Sequence, residues 1–364
     1  MTPECARPGV RGLGPVIRRV AGRDSQAGDL RPPSVEVALA TFNSCRYLPE
    51  LLDSLFVQTC QQFTLLISDD GSSDSTLNII ARYRRRHPGR IRLVASPDRL
   101  GGPLANFSHL MNHLTADYVL FCDHDDVWLP DKIALSLVRM RALETRHGAS
   151  TPLLLHTDLT VVGPDLEVLG SSSFRYQRID PTRNSLHALL LVNTASGCAT
   201  IVNRALYQRA RPVPAAALMH DHWMVLIAAS VGRICCLRES TVLYRQHDHN
   251  AIGATRWGAA SILDRIRQTL FGDGKRRTLE RYSPQAEALL ARCGDDMTSE
   301  QYRATAALAR LWTVNRWLRF YHLWRHRLLL NGLVRNVALF IAVTRRARRP
   351  EIRPLPAREA GATR

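Results

Sequence analysis

Several features that define large classes of protein are missing from this sequence. It has 364 residues, 45% of them hydrophobic, but no run of about 18 uncharged apolar residues, so we expect no membrane-spanning helix. The N-terminus lacks the apolar core of a signal peptide, and secretion is therefore not expected. Eight cysteines are present without any Cys-x-x-Cys, which favours buried thiols in a reducing cytosol over disulfides or a zinc site.

Two nucleotide-binding motifs are also absent. The chain has neither Gly-x-Gly-x-x-Gly nor the Gly-Lys-Ser/Thr of a P-loop, so neither a dinucleotide dehydrogenase nor a P-loop NTPase is supported. Lysine is scarce, because every basic residue except Lys132 and Lys275 is an arginine. With 49 basic and 32 acidic residues the formal net charge is +17. A basic surface indicates an anionic partner, such as nucleic acid, phospholipid or a phosphorylated substrate.

What the sequence does have is a dense acidic turn directly after a predicted buried strand. The run Tyr118–Cys122 is apolar and β-prone, and Asp123, Asp125 and Asp126 follow it closely. Crowded carboxylates repel one another, and a hard cation such as Mg²⁺ or Mn²⁺ would relieve that repulsion. The alternative is a solvated acidic loop that caps the next helix, which could start at Pro130.

Strand-like and helix-like segments alternate through the first half of the chain. Val35–Thr41 and Phe63–Ser68 are predicted strands, and Tyr47–Gln58 has helical apolar spacing between them. This alternation predicts an α/β fold with a mostly parallel, doubly wound sheet. The second strand runs into Asp69 and Asp70, so acidic turns after the second and fourth strands should lie at one edge, where such sheets bind nucleotides.

The next segments predict further short strands. Leu153–His156 and Leu159–Val162 are strand-like on either side of Asp158. Arg233–Leu237 and Thr241–Tyr244 have the same character later in the chain. We expect four separate strands from these segments, since polar residues interrupt both apolar patterns.

A helix with an acid at its start follows a small, polar turn. Asn193–Cys198 (NTASGC) is the polar turn, and Met219–Trp223 (MHDHW) opens the helix. Asp221 then lies where the helix dipole favours a carboxylate, so it is either functional or only a capping acid. His247 lies in a polar run beyond the last strand. A lone histidine is more often structural, but the acidic metal candidate in the same chain favours a functional role.

Six short motifs follow one another along the chain. They are TFN (Thr41–Asn43), SDDGSSDST (Ser68–Thr76), CDHDDVWLPDK (Cys122–Lys132), NTASGC (Asn193–Cys198), MHDHW (Met219–Trp223) and LYRQHDHN (Leu243–Asn250). Their order and spacing resemble family 2 inverting glycosyltransferases with the GT-A fold. Within that family the chain is similar to bacterial rhamnosyltransferases that use dTDP-L-rhamnose. The resemblance implies a nucleotide-diphospho-sugar transferase fold, a doubly wound mixed sheet over residues 34–254.

Carried over residue by residue, the resemblance implies a nucleotide-sugar site in the first half of this domain. Phe42 would stack on the nucleotide base, and Asp70, with Asp69, would bind the polar edge of that base. Asp123 would lie near the ribose. The donor-side residues implied are Thr41, Phe42, Asn43, Asp69, Asp70, Asp123 and Asp125.

The same resemblance implies a metal site and a catalytic base. Asp125 would hold Mg²⁺ or Mn²⁺ on the diphosphate, with Asp126 beside it and His247 completing the metal site. Asp221 matches the base that deprotonates the acceptor hydroxyl as it attacks the anomeric carbon. The chain departs from the family at His124, where related members often have glutamine. The acceptor-side residues implied are Asn193, Gly197, His220 and Trp223.

Segments of different composition flank the predicted catalytic domain. Residues 1–33 and 350–364 are expected to be disordered. Residues 255–349 are expected to form a helical appendage, which includes a short helical stretch at Ser261–Leu270. From Gln301 to Arg349 there are eleven arginines and no acid, interleaved with tryptophans and leucines. This pattern favours an interfacial helix on an anionic membrane, at the cytoplasmic face of the inner membrane. The alternative is a helical hairpin packed on the catalytic domain with a solvated basic face.

Together these expectations predict a peripheral enzyme that moves L-rhamnose from dTDP-L-rhamnose onto a glycan or a lipid-linked glycan. A UDP-hexose is the alternative donor. A nucleic-acid-binding protein would also explain the net charge, but several carboxylates in the site count against that class. A nucleotidyltransferase would likewise place carboxylates and metals on an α/β sheet, and it would need a nucleoside triphosphate.

Overall fold

The computed structural model describes residues 32–96, 99–248 and 274–344, and one mixed β-sheet lies at its centre. The strands are β1 Val35–Thr41, β2 Thr64–Asp69, β3 Ile91–Leu93, β4 Tyr118–Cys122, β5 Val127–Trp128, β6 Leu153–Val162, β7 Val168–Gly170, β8 Thr200–Asn203 and β9 Arg233–Arg245. Across the sheet they follow the order β3-β2-β1-β4-β8-β6-β9-β5, and β7 pairs with β6. The predicted strands at Val35–Thr41 and Tyr118–Cys122 have the bounds expected from the sequence.

Helices connect and cover the strands. They are α1 Leu48–Phe56, α2 Thr76–Arg86, α3 Pro103–Asn112, α4 Lys132–His147, α5 Ser173–Gln177, α6 Leu186–Leu189, α7 Arg204–Ala210, α8 His220–Val231, α9 Gly274–Glu280, α10 Tyr282–Cys293, α11 Ser299–Ala309, α12 Arg316–Arg325 and α13 Leu333–Thr344. Within the part of the chain that the structure describes, none of these helices has the length and apolar character needed to cross a membrane. The predicted leader up to residue 31, the Ser261–Leu270 stretch and the tail at 350–364 lie outside the described residues.

The parallel part of the sheet brings the two acidic turns to one edge. Strands β3, β2, β1 and β4 are parallel, and Thr41 of β1 pairs in register with Asp69 of β2. Leu39 of β1 pairs with Cys122, the last residue of β4. The first acidic turn, after β2, and the second, after β4, therefore start at the same edge of the sheet, with β1 between them. Because β8 runs antiparallel to β4 and β6, the sheet is mixed, and the predicted doubly wound mixed sheet with a C-terminal helical region is confirmed.

Both faces of the sheet are covered, as alternation along β1 illustrates. Val37 and Leu39 pack in one hydrophobic cluster with residues of α1 and α2. Ala38 and Ala40 point to the other face and pack in a second cluster with residues of α3 and α8. Strands buried on both sides read as continuous apolar runs, which is the pattern seen at Val35–Thr41.

Two pairs of predicted strands are single strands in the structure. Leu153–His156 and Leu159–Val162 join as β6, because the intervening Asp158 is buried and accepts hydrogen bonds from the Ser172 hydroxyl and the Phe174 N–H. Its polarity is thus satisfied inside the fold, where the sequence pattern alone indicated a break. The later pair joins in the same way as β9.

The C-terminal helices share a core with the sheet. Leu289 of α10 and Leu308 of α11 belong to the same buried cluster as Trp223 and Leu226 of α8. The predicted helical region is therefore packed against the helix that carries Asp221.

Candidate active site

The first acidic turn is a dense network of local hydrogen bonds. Asp69 accepts the Thr41 hydroxyl at 2.8 Å and the Ser72 N–H at 2.8 Å. Asp70 accepts the N–H groups of residues 100–102, at 3.1 Å from Gly101 and 2.8 Å from Gly102. Both carboxylates are buried. They tie the end of β1, the turn after β2 and the start of α3 into one frame.

An exposed aromatic ring projects from this frame. Phe42, directly after β1, keeps 41% of its surface exposed. Asn43 has a positive φ of 46°, and its side-chain oxygen accepts the Ser73 N–H at 2.9 Å, which fixes the chain beyond the ring. The Arg99 guanidinium lies 5.0 Å from the centroid of Phe42. This surface is suited to stacking with a flat base, and Arg99 is a neighbour that the sequence did not single out.

The second acidic turn pairs Asp125 with the histidine beyond β9. The Asp125 Oδ2 and His247 Nε2 atoms lie 2.9 Å apart, and both side chains are 10% exposed. The His247 ring also stacks on the Tyr47 ring, with centroids 4.9 Å apart. Residues far apart in the sequence thus meet at the C-terminal end of β4, as predicted for a metal site.

Asp126 is directed away from that pair. It is fully buried and accepts the Arg245 N–H at 3.0 Å. Ligand atoms of Asp123, Asp126 and Cys198 all lie within 4.8 Å of one another. In the described part of the chain, Asp125, Asp126 and His247 do not form such a cluster. The three predicted metal ligands therefore divide between an outer pair and a deeper carboxylate.

Burial and crowding shift the protonation of the deeper groups. Burial, followed by the charges of Asp125 and Asp221, raises the pKa of Asp123 to about 7. Burial and then the charges of Asp125 and Asp123 raise the pKa of Asp126 well above its ordinary value. The Cys198 thiol hydrogen-bonds to these carboxyls, and its own pKa is raised well above the ordinary value by burial and by their charges. With no metal bound, Cys198 is thus a thiol donor to the cluster.

A buried cation lies beneath this cluster. Lys132 is 1% exposed, and its Nζ lies 3.4 Å from the Thr241 hydroxyl and 4.6 Å from the Trp128 ring centroid. Burial lowers its pKa to about 8, and the charge of Asp126 opposes that shift. Such a group is tolerated in the core because opposite charge lies nearby. The sequence offered a signal, since Lys132 is one of only two lysines and ends the third motif.

A second buried cation fixes the backbone of the acidic turn. The Arg245 side chain is 1% exposed, and its Nε donates to the Asp125 carbonyl at 2.7 Å. Its terminal nitrogens bond the Pro164 carbonyl and the Glu50 carboxylate. The guanidinium also lies 4.4 Å from the Tyr47 ring centroid. Because Arg245 ends β9 and His247 follows two residues later, the end of this strand and the segment just after it position the backbone and the side chain of Asp125.

The facing carboxylate belongs to α8. Asp221 accepts the Gly197 N–H at 3.0 Å and the His222 N–H at 2.6 Å, and the Asn193 side chain also hydrogen-bonds to it. Burial raises its pKa to about 6, although these hydrogen bonds oppose the shift. A Cβ at position 197 would lie 3.0 Å from His220 Nε2, so any larger residue there would require the His220 ring to shift. Asn193, Gly197 and Asp221 are thus brought together as predicted.

Two residues expected on the acceptor side lie in the core instead. Trp223 is fully buried, and its Nε1 donates to the Ala210 carbonyl at 2.8 Å. His220 is 3% exposed and stacks on Phe107 with centroids 3.8 Å apart. Burial lowers the pKa of His220 to about 3. Both rings anchor the start of α8, His220 against Phe107 of α3 and Phe121 of β4 and Trp223 against the end of α7.

Comparison with known proteins accounts for this geometry. Residues 36–146 match the family described as "Glycosyl transferase family 2", and this stretch holds both acidic turns. It is a family 2 glycosyltransferase domain. The predicted resemblance to family 2 glycosyltransferases is thereby confirmed, over a stretch that holds the first three of the six motifs.

Individual relatives match parts of the chain. The dTDP-rhamnosyl transferase RfbG of Shigella flexneri is 36% identical over 98 residues, which is 26% of this chain and 34% of RfbG. Chondroitin synthase of Escherichia coli is 29% identical over 111 residues, which is 30% of this chain and 16% of that protein. The chain thus spans about a third or less of the length of either relative. The crystal structure of S. aureus TarS 1–349 has a TM-score of 0.47 and 17% identity, covering 81% of this chain and 92% of that one.

The second acidic turn fits the divalent cation that the family 2 match over residues 36–146 implies. Asp126 Oδ2 is buried without a nitrogen or oxygen donor among the described residues. Carboxylate oxygens with one imidazole form a donor set that Mn²⁺ accepts, and Mg²⁺ prefers the oxygens. The outer pair, Asp125 and His247, retains some exposure. A cation arriving with a diphosphate would meet this pair first.

Proposed function

We propose that this glycosyltransferase is an inverting enzyme that transfers L-rhamnose from dTDP-L-rhamnose onto a hydroxyl of a growing, lipid-linked cell-surface polysaccharide. One observation carries the proposal: Asp221 in the first turn of α8 accepts the Gly197 N–H at 3.0 Å, and the next residue, Cys198, has its Sγ within 4.8 Å of ligand atoms of Asp123 and Asp126 in the acidic turn after β4. A donor held at the sheet edge would then have a carboxylate on its far side. Single displacement needs this arrangement of leaving group and base.

The proposed reaction is one displacement at the anomeric carbon. The acceptor oxygen forms a bond to that carbon as the bond from the carbon to the diphosphate oxygen breaks, and dTDP leaves with the electron pair. Asp221 takes the acceptor proton. Its raised pKa of about 6 makes it a stronger base than an ordinary aspartate while leaving it mostly ionised at neutral pH. No covalent intermediate is needed, so one carboxylate suffices and the configuration inverts.

The donor side completes this scheme. Phe42 would stack on the base, and the Asp69–Asp70 turn would hold its polar edge. Asp125 and His247, with Asp126 behind them, would hold Mg²⁺ or Mn²⁺, which when bound offsets the negative charge that grows on the departing diphosphate. Arg245 contributes by fixing the Asp125 backbone. The donor is chosen on the likeness to RfbG, which is named a dTDP-rhamnosyl transferase, and a UDP-hexose is the alternative.

A donor screen tests this function. Full-length protein is incubated with dTDP-L-rhamnose, UDP-glucose, UDP-N-acetylglucosamine or GDP-mannose, with Mn²⁺, Mg²⁺ or EDTA, and released nucleoside diphosphate is measured. We expect release from dTDP-L-rhamnose that depends on the divalent cation. Release only from a UDP-sugar would change the donor and leave the mechanism intact. Release that ignores EDTA would contradict the metal site.

We also propose that the enzyme lies on the cytoplasmic face of the inner membrane, through an exposed aromatic face on α12 and α13. This face consists of Trp317, Phe320, Tyr321, Trp324, Leu333, Val334 and Val337. Trp317 and Trp324 are 69% and 62% exposed, whereas Leu323 on the opposite side of α12 is fully buried. The Phe320 and Phe340 rings, 4.6 Å apart, link the two helices. Apolar side chains at helical spacing on the outer side suit the headgroup boundary of a bilayer.

Charge complementarity selects an anionic bilayer as the partner of this face. Arg316, Arg325 and Arg327 are exposed around it, and each arginine near an anionic surface is worth about 1 kcal/mol. Trp312, which the sequence suggested as a further lipid contact, is instead half-buried between the Arg276 and Arg319 guanidinium groups, 5.2 and 4.8 Å from its ring centroid. It stabilises the helix pair and leaves the contact to the outer tryptophans.

Liposome co-sedimentation tests this attachment. We expect full-length protein to pellet with phosphatidylglycerol vesicles, less so at high salt, and Trp317→Ser/Trp324→Ser to remain largely in solution. Tyr302→Ser is the matched control, because Tyr302 is 48% exposed on α11 outside the exposed aromatic face. Equal recovery of all three proteins, or binding that ignores salt and lipid charge, would overturn this attachment.

A further inference from the structure

The C-terminal helices hold α8 at both of its ends. Near the C-terminal end, Gln301 Nε2 of α11 donates to the Ala229 carbonyl at 3.2 Å. Near the N-terminal end, Gln285 of α10 reaches the turn that contains Asp221. Between these contacts Leu289 and Leu308 pack in the cluster that contains the apolar residues of α8. The helix that carries the proposed base thus lies between the sheet and α10–α11.

Gln285 bonds to the chain on both sides of Asp221. Its side chain is 1% exposed, and its Oε1 accepts the Leu218 N–H at 2.8 Å. Its Nε2 lies 3.4 Å from His222 Nδ1. Leu218 precedes Asp221 by three residues and His222 follows it directly. One buried amide therefore spans the segment that leads into α8 and the first turn of that helix.

The chemistry of His222 fixes the direction of these bonds. Burial lowers the pKa of His222 to about 4, so the ring is neutral at physiological pH. Its Nε2 lies 2.8 Å from the Leu189 carbonyl, which can only accept, so the ring proton is on Nε2. Nδ1 then carries a lone pair and accepts from the amide nitrogen of Gln285. The opposite amide orientation would leave the Leu218 N–H facing another donor.

A second residue of α10 fixes the segment before α8. The Arg292 guanidinium donates to the carbonyls of Arg209 at 2.8 Å, Arg211 at 3.1 Å and Pro212 at 3.0 Å. It also lies 5.7 Å from the ring centroid of Trp223. The path of the chain from α7 into α8 is thus held by two side chains of one C-terminal helix.

We infer that Gln285 is a positioning residue for the reaction, acting through Asp221. The Asp221 carboxylate receives hydrogen bonds from Gly197 on the sheet side, and the Gln285 amide fixes the backbone of the same turn from the opposite side. Displacing a reacting group by about 1 Å costs a large factor in rate. The C-terminal helical region is then part of the catalytic framework as well as the proposed membrane contact. This inference rests on the proposed role of Asp221 as the base.

The test compares two substitutions on α10 in full-length protein. Gln285→Met keeps the length of the side chain and removes both hydrogen bonds. Ser283→Ala is the matched control, because it removes one buried bond from the same helix, 2.8 Å to the Leu308 carbonyl, without touching α8. The assay contains dTDP-L-rhamnose and Mn²⁺, and it measures the dTDP released when water takes the place of the acceptor. We expect Gln285→Met to lower kcat by about 10-fold or more with an unchanged donor KM. Ser283→Ala should stay within about two-fold of wild type.

Three further measurements make the outcome decisive. In Gln285→Glu one carboxyl oxygen still accepts the Leu218 N–H, and the other can share one proton with His222 Nδ1. We therefore expect this variant to keep most of the activity that Gln285→Met loses. In a double-mutant cycle, Gln285→Met should cause little further loss once Asp221→Asn is present, because both act through one group. Amide exchange across residues 213–226 should quicken in Gln285→Met and not in Ser283→Ala, and this readout needs no donor.

These measurements distinguish a failure of Asp221 as the base from a failure of Gln285 as a positioning residue. Wild-type turnover in Asp221→Asn would refute the proposed base itself. A loss in Asp221→Asn combined with unchanged turnover and exchange in Gln285→Met would overturn only the positioning role. Additive losses in the double mutant would overturn it too, because Gln285 would then act by another route.

Discussion

The two acidic turns at the sheet edge are built in opposite ways. In the first, Asp69 and Asp70 accept hydrogen bonds from hydroxyl and backbone N–H groups, so each carboxylate is satisfied by the fold. In the second, Asp126 has a buried oxygen without a nitrogen or oxygen donor among the described residues, and burial with neighbouring charge raises the pKa of Asp123 and of Asp126. The carboxylates of the first turn are satisfied by the protein alone, whereas those of the second turn are satisfied only when a proton or a cation binds.

This difference matches the division of labour in the proposed reaction. The uncharged nucleobase of the donor needs a rigid surface on which to stack. The first turn supplies that rigidity through hydrogen bonds between three chain segments. A diphosphate that gains charge needs concentrated positive charge, and crowded carboxylates attract the cation that provides it. Lys132 and Arg245, buried beneath the second turn, keep the crowding tolerable, and Arg245 also fixes the Asp125 backbone through its carbonyl.

Asp221 offers the sharpest challenge to this comparison, because its pKa is raised as in the second turn, while backbone N–H groups donate hydrogen bonds to it as in the first. Asp221→Asn keeps the shape but cannot accept the acceptor proton. We expect turnover to fall by about 10²-fold or more while donor affinity barely changes. Steady-state release of dTDP and a binding titration measure the two quantities. Asp117→Asn is the control, since Asp117 precedes β4 at the opposite end of the strand and pairs with Arg204. Unchanged turnover in Asp221→Asn would leave only a capping role.

The outer pair gives the next largest effect. Asp125→Ala should weaken Mn²⁺-dependent binding of dTDP by about 10-fold or more, because a carboxylate ligand is lost. Thermal stability without metal should not fall, since removing a crowded carboxylate also relieves repulsion. Titration calorimetry with and without Mn²⁺ and a melting curve are sufficient. Wild-type affinity for both metal and nucleotide would place the cation elsewhere.

The same substitution in the two turns should change stability in opposite directions. Asp70→Asn leaves N–H groups of residues 100–102 without one of their acceptors, which should cost about 1–3 kcal/mol. Asp126→Asn removes a buried, crowded carboxyl whose pKa is raised well above its ordinary value, and in EDTA it should not destabilise the protein. Urea unfolding of both variants in EDTA provides the comparison. If both variants lost the same free energy of unfolding, the carboxylates of both turns would be stabilising hydrogen-bond acceptors, and the two turns would not differ.

The sequence predicts the elements whose signals are local. The strands at Val35–Thr41 and Tyr118–Cys122 are uninterrupted apolar runs, and the structure gives them the same bounds. Since parallel strands end at one edge, the alternation of strands and helices predicts that the two acidic turns lie at the same edge of the sheet. The meeting of Asp125 with His247 could be predicted only from the resemblance, because spacing alone cannot pair residues from opposite halves of the domain.

Side-chain direction within dense polar segments could not be predicted. Asp125 and Asp126 are adjacent and chemically identical, yet one pairs with His247 and the other turns inward to the Arg245 N–H. Trp223 lies in a polar motif but is fully buried. Gln285 carries no signal at all, because its importance depends on α10 packing against α8. Long-range packing decided each of these outcomes, and a one-dimensional pattern does not record it.

The pH dependence of metal-free stability separates the two kinds of carboxylate most finely. Asp123 has a folded pKa of about 7, whereas an unfolded aspartate titrates near about 4. Between these values the folded state binds more protons than the unfolded state, so the contribution of Asp123 to stability falls as pH rises through that window. Asp123→Asn cannot ionise at this position, so its unfolding free energy does not undergo this fall with pH. The unfolding free energy of the variant minus that of wild type should therefore increase from about pH 4.5 to about pH 8, on the order of 1 kcal/mol for this partly exposed group.

Urea unfolding in EDTA across this range measures that drift, and saturating Mn²⁺ should remove it, because a bound cation favours the ionised carboxylates in the folded state. Asp117→Asn is again the control. Burial alone would raise the pKa of Asp117, but hydrogen bonds from Ser34 and Arg204 outweigh burial and hold that pKa below its ordinary value. Its titration thus lies below the window, and its difference from wild type should stay flat. A flat difference for Asp123→Asn as well would show that the second turn is not under electrostatic repulsion, and the contrast between the two turns would then fail.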